Sequence, residues 1–284
     1  MKITERLRKP GKVFSFEFYP PKTEADSKKL FDTVRDLKTL GPDFISITNS
    51  STGATPYRTV DLSGLIKAEL GLEVMAHLTC IGHSKAEIRG IAERLKAMNI
   101  ENILALRGDM HNIEGRPPKK DYRYASELAA DLKEIGGFNI GGAGYPEKHP
   151  EAADLDSDIR ALKTKIEAGA EFIITQLFFE NRFYFEFVEK ARKAGVSVPI
   201  IPGLMPLTSY KQLCNFPNMF SVLLPREVKE NIEKYAEDKD SLLKFSVEYA
   251  SRQAEDLLRN GAPGVHFYTL NRSKATKEIL KNIR

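Results

Sequence analysis

The chain has 284 residues, 42% hydrophobic and 29% charged, which suffices for one sizeable core and excludes a disordered or fibrous polypeptide. Its 43 Lys and Arg against 39 Asp and Glu leave a net charge of +4 spread along the sequence, so no nucleic acid is indicated as a partner. Apolar runs break within about eight residues, whereas a membrane span needs roughly 20, so no membrane partner is indicated either. The charged opening Met1-Lys2-Ile3-Thr4-Glu5-Arg6 lacks a secretory leader, and the sequence predicts a cytoplasmic protein. Cys80 and Cys214 lack the paired spacing of a zinc or redox motif and read as two buried, reduced thiols.

Short runs rich in β-branched residues alternate with segments of helical period. In chain order the pattern predicts a strand at 13–19, a helix at 24–40, a strand at 43–48, a helix at 59–70, a strand at 73–80 and a helix at 84–98. It continues with a strand at 102–107, a helix at 124–135, a strand at 138–143, a helix at 156–168, a strand at 171–178, a helix at 181–194 and strands at 198–202 and 265–271. Helical stretches stop at Gly41, Gly71, Gly169 and Gly195, the usual left-handed end. Eight βα units in one chain predict an α/β protein built as a single (β/α)8 TIM barrel over residues 1–284, with an open doubly wound sheet as the alternative on pattern alone. The stretch 208–260 has room for two or three helices, so the region between strands 7 and 8 is elaborated, and 111–121 reads as a long βα loop.

Barrel enzymes carry their chemistry at the C-terminal ends of the strands. In Phe14-Ser15-Phe16-Glu17-Phe18, alternation sends the phenylalanines to one face and Ser15 and Glu17 to the other, so Glu17 points into the barrel mouth. A carboxylate there is either paired or driven by burial toward its neutral form, and either makes it a candidate acid. The other strand ends supply Thr48, His77, Arg107-Gly108-Asp109, Gln176 and the run His266 to Arg272. Gly108 allows backbone to approach a ligand closely. The scattered histidines argue against a metal, no lysine lies in any predicted strand to form a Schiff base, and no Walker loop or dinucleotide fingerprint is present. What remains suits a cofactor that carries the chemistry itself.

The strand ends resemble those of the methylenetetrahydrofolate reductase family. The likeness runs from Phe16-Glu17-Phe18-Tyr19-Pro20-Pro21-Lys22 through Ala76-His77-Leu78-Thr79-Cys80, Leu106-Arg107-Gly108-Asp109, Tyr145-Pro146-Glu147 with His149-Pro150-Glu151, and Ile174-Thr175-Gln176-Leu177-Phe178-Phe179 to His266-Phe267-Tyr268-Thr269-Leu270-Asn271-Arg272. The resemblance implies a TIM-barrel flavoprotein that reduces 5,10-methylenetetrahydrofolate to 5-methyltetrahydrofolate by ping-pong hydride transfer from NADH or NADPH through FAD, in a homo-oligomer. It makes Glu17 the general acid, places Asp109 at the pterin and flavin, and sets Gln176 against folate and nicotinamide in turn. FAD would be held by Thr48, His77, Arg107, Gly108, Asp109, Tyr124, Ala125, Tyr145, His149, Ala152, Asp158 and Lys165. Folate would meet Asp109, Gln176, Gln212, Phe216 and Arg272. The run Asn49 to Thr55 departs from the family pattern, which implies redistributed backbone contacts to the flavin, and Ala161 and Thr164 depart from it in a way that implies fewer ribose and phosphate contacts. A folate- and flavin-binding subunit fed by a partner protein is the alternative, and a flavin-free reductase a third reading. The chain ends soon after Arg272, so no adenosylmethionine-sensing domain is expected.

Overall fold

A computed structural model describes residues 1–21, 23–49, 56–108, 121–212 and 222–284. Eight parallel strands close on themselves in sequence order: β1 (Val13–Phe18), β2 (Phe44–Ile47), β3 (Val74–Thr79), β4 (Asn102–Leu106), β5 (Asn139–Gly144), β6 (Phe172–Leu177), β7 (Ile200–Leu204) and β8 (Gly264–Tyr268). Every pairing is parallel, with β1 bonded to both β2 and β8 and one register shift between β6 and β7. Helices α1 (Ile3–Leu7), α2 (Glu24–Lys38), α3 (Pro56–Leu70), α4 (Lys85–Ala97), α5 (Ala125–Ile135), α6 (Leu155–Glu167) and α7 (Asn181–Lys193) are joined by α8 (Arg226–Lys234), α9 (Lys239–Arg259) and α10 (Lys274–Ile283). The predicted TIM barrel is therefore the fold, and α8 and α9 form the elaboration between strands 7 and 8.

Local sequence accounts for the helix starts. Thr23 Oγ1 accepts from Asp26 N at 3.2 Å to cap α2, Ser84 and Glu87 cap one another across the first turn of α4, and Asp154 accepts from Ser157 N at 2.7 Å ahead of α6. Strand 7 runs two residues beyond its predicted end and strand 8 stops three short, at Tyr268. The early stop has a cause: Leu270 and Asn271 both take left-handed φ values, 52° and 56°, which no strand accommodates. The short α1 and the last helix α10 are additions to the helices predicted above.

Phe14, Phe16 and Phe18 pack outward against Leu30, Val34 and Leu37 of α2 in the main core between sheet and helices. The lower barrel interior is a separate apolar layer that includes Val13, Phe44, Met75, Leu104, Phe172, Ile174 and Ile201, closed below by Ile3. There Asn102 and Asn139, fully buried register partners, accept from Ile3 N at 2.9 Å and Thr4 N at 3.0 Å. The bottom is therefore plugged by α1, whose first backbone donors the two asparagine side chains satisfy. No described helix is long and apolar enough to cross a membrane.

Candidate active site

The upper barrel interior is polar where the lower is apolar. Alternation on β1 turns Ser15 and Glu17 inward, as the sequence predicts, and both are buried, Glu17 to 7% exposure. Glu17 Oε2 lies 3.4 Å from His266 Nε2 and 3.5 Å from His77 Nε2, so one carboxylate sits between two imidazoles. His266 Nδ1 meets Ser15 Oγ at 2.7 Å, and Ser46 Oγ stands 3.5 Å from His266 Nε2. The backbone carbonyl of Glu17 accepts from Thr269 Oγ1 at 2.6 Å, which fixes the strand end that carries this carboxylate.

Burial holds His77 down to about 4, partly offset by the Glu17 charge, so its ring is neutral near pH 7. Its Nε2 has no hydrogen-bond partner among the described residues. A buried polar atom of this kind at a barrel mouth fits a ligand that supplies the missing partner. Tyr268, inward on β8, crosses β7 above Gly203 and donates to Thr175 O on β6 at 2.7 Å; its ring meets His266 edge-on at 5.3 Å. Burial and the Glu17 charge keep its hydroxyl protonated. Gln176 follows Thr175, partly buried, with Oε1 accepting from Leu177 N at 2.9 Å.

A second group gathers at the β5 end. Tyr145 and His149 pack edge to face at 4.7 Å, and Asp158 of α6 accepts from His149 N at 2.9 Å. Burial raises the Asp158 carboxyl and lowers the His149 imidazole, each against the charge of the other. Lys165 of α6 extends across Gly142, where a Cβ would come within 2.8 Å of its Cδ, and donates to Ala143 O at 2.6 Å. Burial brings this ammonium down to about 8, so it is a desolvated cation and not a solvated helix lysine. Ala152 is tied in through its carbonyl, which accepts from Lys148 Nζ at 3.0 Å.

At the β4 end Gly108 adopts a φ of 88°, and a Cβ there would lie 2.8 Å from Ile81 Cγ2, so only glycine fits. Arg107 makes a two-pronged contact with Glu151, 2.6 Å at each nitrogen. The Cys80 thiol, pushed up to about 12 by burial, bridges Arg107 O and Tyr124 O at 3.7 Å and is inert. Tyr124 and Ala125 open α5, with the tyrosine ring 48% exposed and available as an outer wall. Thr48 donates its N–H to Phe18 O and receives Thr59 Oγ1 on its carbonyl at 2.8 Å.

On the opposite side, buried Gln212 accepts from Thr208 N at 2.7 Å while its Nε2 lacks a partner among the described residues. Arg272, exposed, reaches Thr208 Oγ1 at 3.4 Å. Asp109, Phe216, Cys214 and residues 50–55 lie outside the described residues. The fold thus brings Glu17 and His77 into contact and sets Gln176 beside the carbonyl that takes the Tyr268 hydroxyl. It groups Tyr145, His149, Asp158 and Lys165 apart from them. Sequence reading did not single out His266 and Tyr268, although period two along β8 puts Gly264, His266 and Tyr268 on the inward face with Glu17 as a register neighbour. Glu147 is a further residue, a carboxyl raised by burial that accepts from Leu223 N at 2.7 Å and joins the β5 loop to the segment before α8.

Comparison with known proteins places this geometry. The closed barrel resembles a solved structure from Clostridium thermocellum, an uncharacterized protein that binds two copies of 5-methyl-5,6,7,8-tetrahydrofolic acid. The TM-score is 0.66 at 15% identity, covering 99% of this chain and 97% of that one, which shows the shared fold. In sequence, the chain is 37% identical over 265 residues to the 5,10-methylenetetrahydrofolate reductases of Pectobacterium carotovorum and Escherichia coli, covering 93% of this chain and 88% of each relative. It is 31% identical to an NADH-type methylenetetrahydrofolate reductase of Arabidopsis thaliana, covering all of this chain and 51% of that protein. With the methylenetetrahydrofolate reductase family model matching residues 2–284, the chain belongs to that family.

Proposed function

We propose that the chain reduces 5,10-methylenetetrahydrofolate to 5-methyltetrahydrofolate with NADH or NADPH, using FAD held at the barrel mouth. The observation that carries the reading is Glu17, a buried carboxylate 3.4 and 3.5 Å from two imidazoles at the end of the strand where a barrel enzyme keeps its acid. Two features fit a bound flavin dinucleotide: the orphaned Nε2 of His77 and the desolvated ammonium of Lys165, whose charge an anionic diphosphate would stabilise. Thr48, Arg107, Gly108, Tyr124, Ala125, Tyr145, His149, Ala152 and Asp158 would complete that site, together with Asp109. When bound, FAD supplies a two-electron carrier able to take hydride from nicotinamide and give it to folate.

The chain's own residues do the rest. Glu17 delivers a proton to the bridging nitrogen of the folate, which opens the five-membered ring, and His266, with Ser15 behind it, orients the carboxyl and can return the proton. His77 stays neutral and offers its Nε2 to a ligand. Asp109, Gln176, Gln212, Phe216 and Arg272 would bind folate, with nicotinamide and folate occupying the mouth alternately.

The purified protein tests this directly. A yellow protein that bleaches anaerobically with NADH or NADPH and regains colour with methylenetetrahydrofolate is the expected result. A yellow protein that neither nucleotide bleaches would instead indicate a partner supplying electrons, and a colourless one that FAD fails to reconstitute would overturn the flavin assignment.

A further inference from the structure

The top of β6 is irregular where Gln176 stands. Ile174 pairs with Ile201 and Leu177 with Gly203, so three steps along β6 match two along β7 and one residue of β6 is extra. A bulge of this kind leaves backbone groups outside the ladder, bends the strand and re-aims the side chains it carries. Thr175 is fully buried here, where a backbone group without a partner is costly. Side chains supply the partners. Tyr268 Oη on β8 donates to Thr175 O at 2.7 Å, Gly203 N donates to Thr175 Oγ1 at 3.0 Å, and Leu177 N donates to Gln176 Oε1 at 2.9 Å.

The last of these bonds decides what Gln176 can offer. An amide side chain accepts through its oxygen and donates through its nitrogen. With Oε1 engaged by the N–H of its own neighbour, the Nε2 donors remain for a ligand, and Nε2 has no partner among the described residues. Gln176 is partly exposed between buried Thr175 and Leu177, at the strand end that opens on the mouth. A one-residue slip reverses side-chain direction in a strand, so a bulge free to migrate would carry this amide away from the mouth. Tyr268 opposes that slip from two strands away, over Gly203, where a Cβ would stand 2.6 Å from its Cε2. Beyond the bulge α9 holds the continuing chain by similar means: Gln253 Nε2 donates to Phe178 O at 3.0 Å and Tyr249 Oη to Phe179 O at 2.7 Å.

We infer that Tyr268 and Thr175 are positioning residues for the folate site: their hydroxyls lock the β6 bulge in the register that keeps Gln176 Oε1 on Leu177 N and its amide donors toward the ligand. The inference rests on the reading of Gln176 as a folate contact. Tyr268 touches no reacting atom in this role and acts through the Thr175 carbonyl. Tyr249 makes the same kind of bond to the same stretch of chain without holding Gln176, so it separates positioning from simple support of the fold.

The test measures the affinity of the holoenzyme for 5-methyltetrahydrofolate, read from flavin absorbance, and KM for methylenetetrahydrofolate. Tyr268→Phe and Thr175→Val should each weaken folate binding by roughly 3- to 10-fold, the factor equivalent to one hydrogen bond lost. Thr175→Ser, which keeps the hydroxyl, should bind within about twofold of wild type. Tyr249→Phe should lose similar stability in urea and keep wild-type affinity. In a Gln176→Ala background, Tyr268→Phe should add less than about twofold. The pH profile of folate reduction should not shift, because Tyr268→Phe retains the ring that meets His266 and leaves Glu17 in place. Unchanged folate affinity in Tyr268→Phe, an effect that persists in full without Gln176, or an equal effect from Tyr249→Phe overturns the inference. If Gln176→Ala alone leaves folate affinity unchanged, the folate reading of Gln176 falls instead, and the inference with it.

Discussion

Replacing Gly203 by alanine should couple the stability of the barrel to the geometry of its mouth. Gly203 lies on β7, and its N–H donates to Thr175 Oγ1 at 3.0 Å. A Cβ added there would overlap the backbone oxygen of Thr175 and stand 2.6 Å from Tyr268 Cε2 and 2.8 Å from the Tyr268 hydroxyl oxygen, so the tyrosine and the adjoining β6 backbone must both shift. Overpacking of this kind costs about 1–3 kcal/mol, and breaking the buried Tyr268–Thr175 hydrogen bond adds about 1–2 kcal/mol. The sum, about 2–5 kcal/mol, is a large share of the roughly 5–15 kcal/mol that holds a domain folded, and should lower the melting temperature by roughly 5–15 °C. Thermal and urea unfolding of the FAD-free protein measure it. Tyr268→Phe alone should cost about 1 kcal/mol, and less in the Gly203→Ala background, because the bond is already lost there. Gly90→Ala, on the exposed face of α4 with nothing within 4 Å of the new methyl, should stabilise by about 0.5–1 kcal/mol. A Gly203→Ala protein within about 0.5 kcal/mol of wild type, or one no worse than Gly90→Ala, would refute the claim that the missing side chain makes room for Tyr268.

The remaining expectations concern protons and charges. Glu17→Gln should lower folate reduction by roughly 10²- to 10⁴-fold while flavin reduction by nicotinamide persists, as stopped-flow half-reactions would show; survival of both would remove Glu17 as the acid. His77 has an ordinary value of 6.5 and is held to about 4 in the fold, so below pH 6.5 the unfolded chain gains the proton first. Stability fully present above pH 6.5 should therefore be lost as pH falls toward 4, by on the order of 3 kcal/mol, and urea midpoints of His77→Asn should lack that component. Lys165, lowered to about 8 from 10.5, carries its charge only below that point. FAD affinity, followed by flavin fluorescence, should accordingly decline as pH rises through 8, and Lys165→Met should weaken binding by roughly 10- to 100-fold and flatten the profile. A pH-independent affinity in wild type would place the diphosphate elsewhere.

Much of this protein is written in local sequence. Strand spacing of about 30 residues, glycine stops and alternation along β1 are enough to specify eight βα units and an inward Glu17, because side-chain direction in a strand follows directly from period two. The same rule, applied along β8, turns His266 toward Glu17 once the register of β1 with β8 is known, and that register joins residues about 250 positions apart. No local pattern contains it. The state of Lys165 is likewise a tertiary matter: helical period places it on α6, but Gly142 on a neighbouring strand lets its stem approach and burial strips its hydration. The sequence determined the repeat of βα units, the family and the inward direction of Glu17, since these depend on periodicity and on residues near one another in the chain, whereas closure rests on β1 pairing with β8 across the whole chain. Partners, protonation and cavities were decided by tertiary structure alone, because they depend on distances and desolvation that arise only when the ring of strands closes.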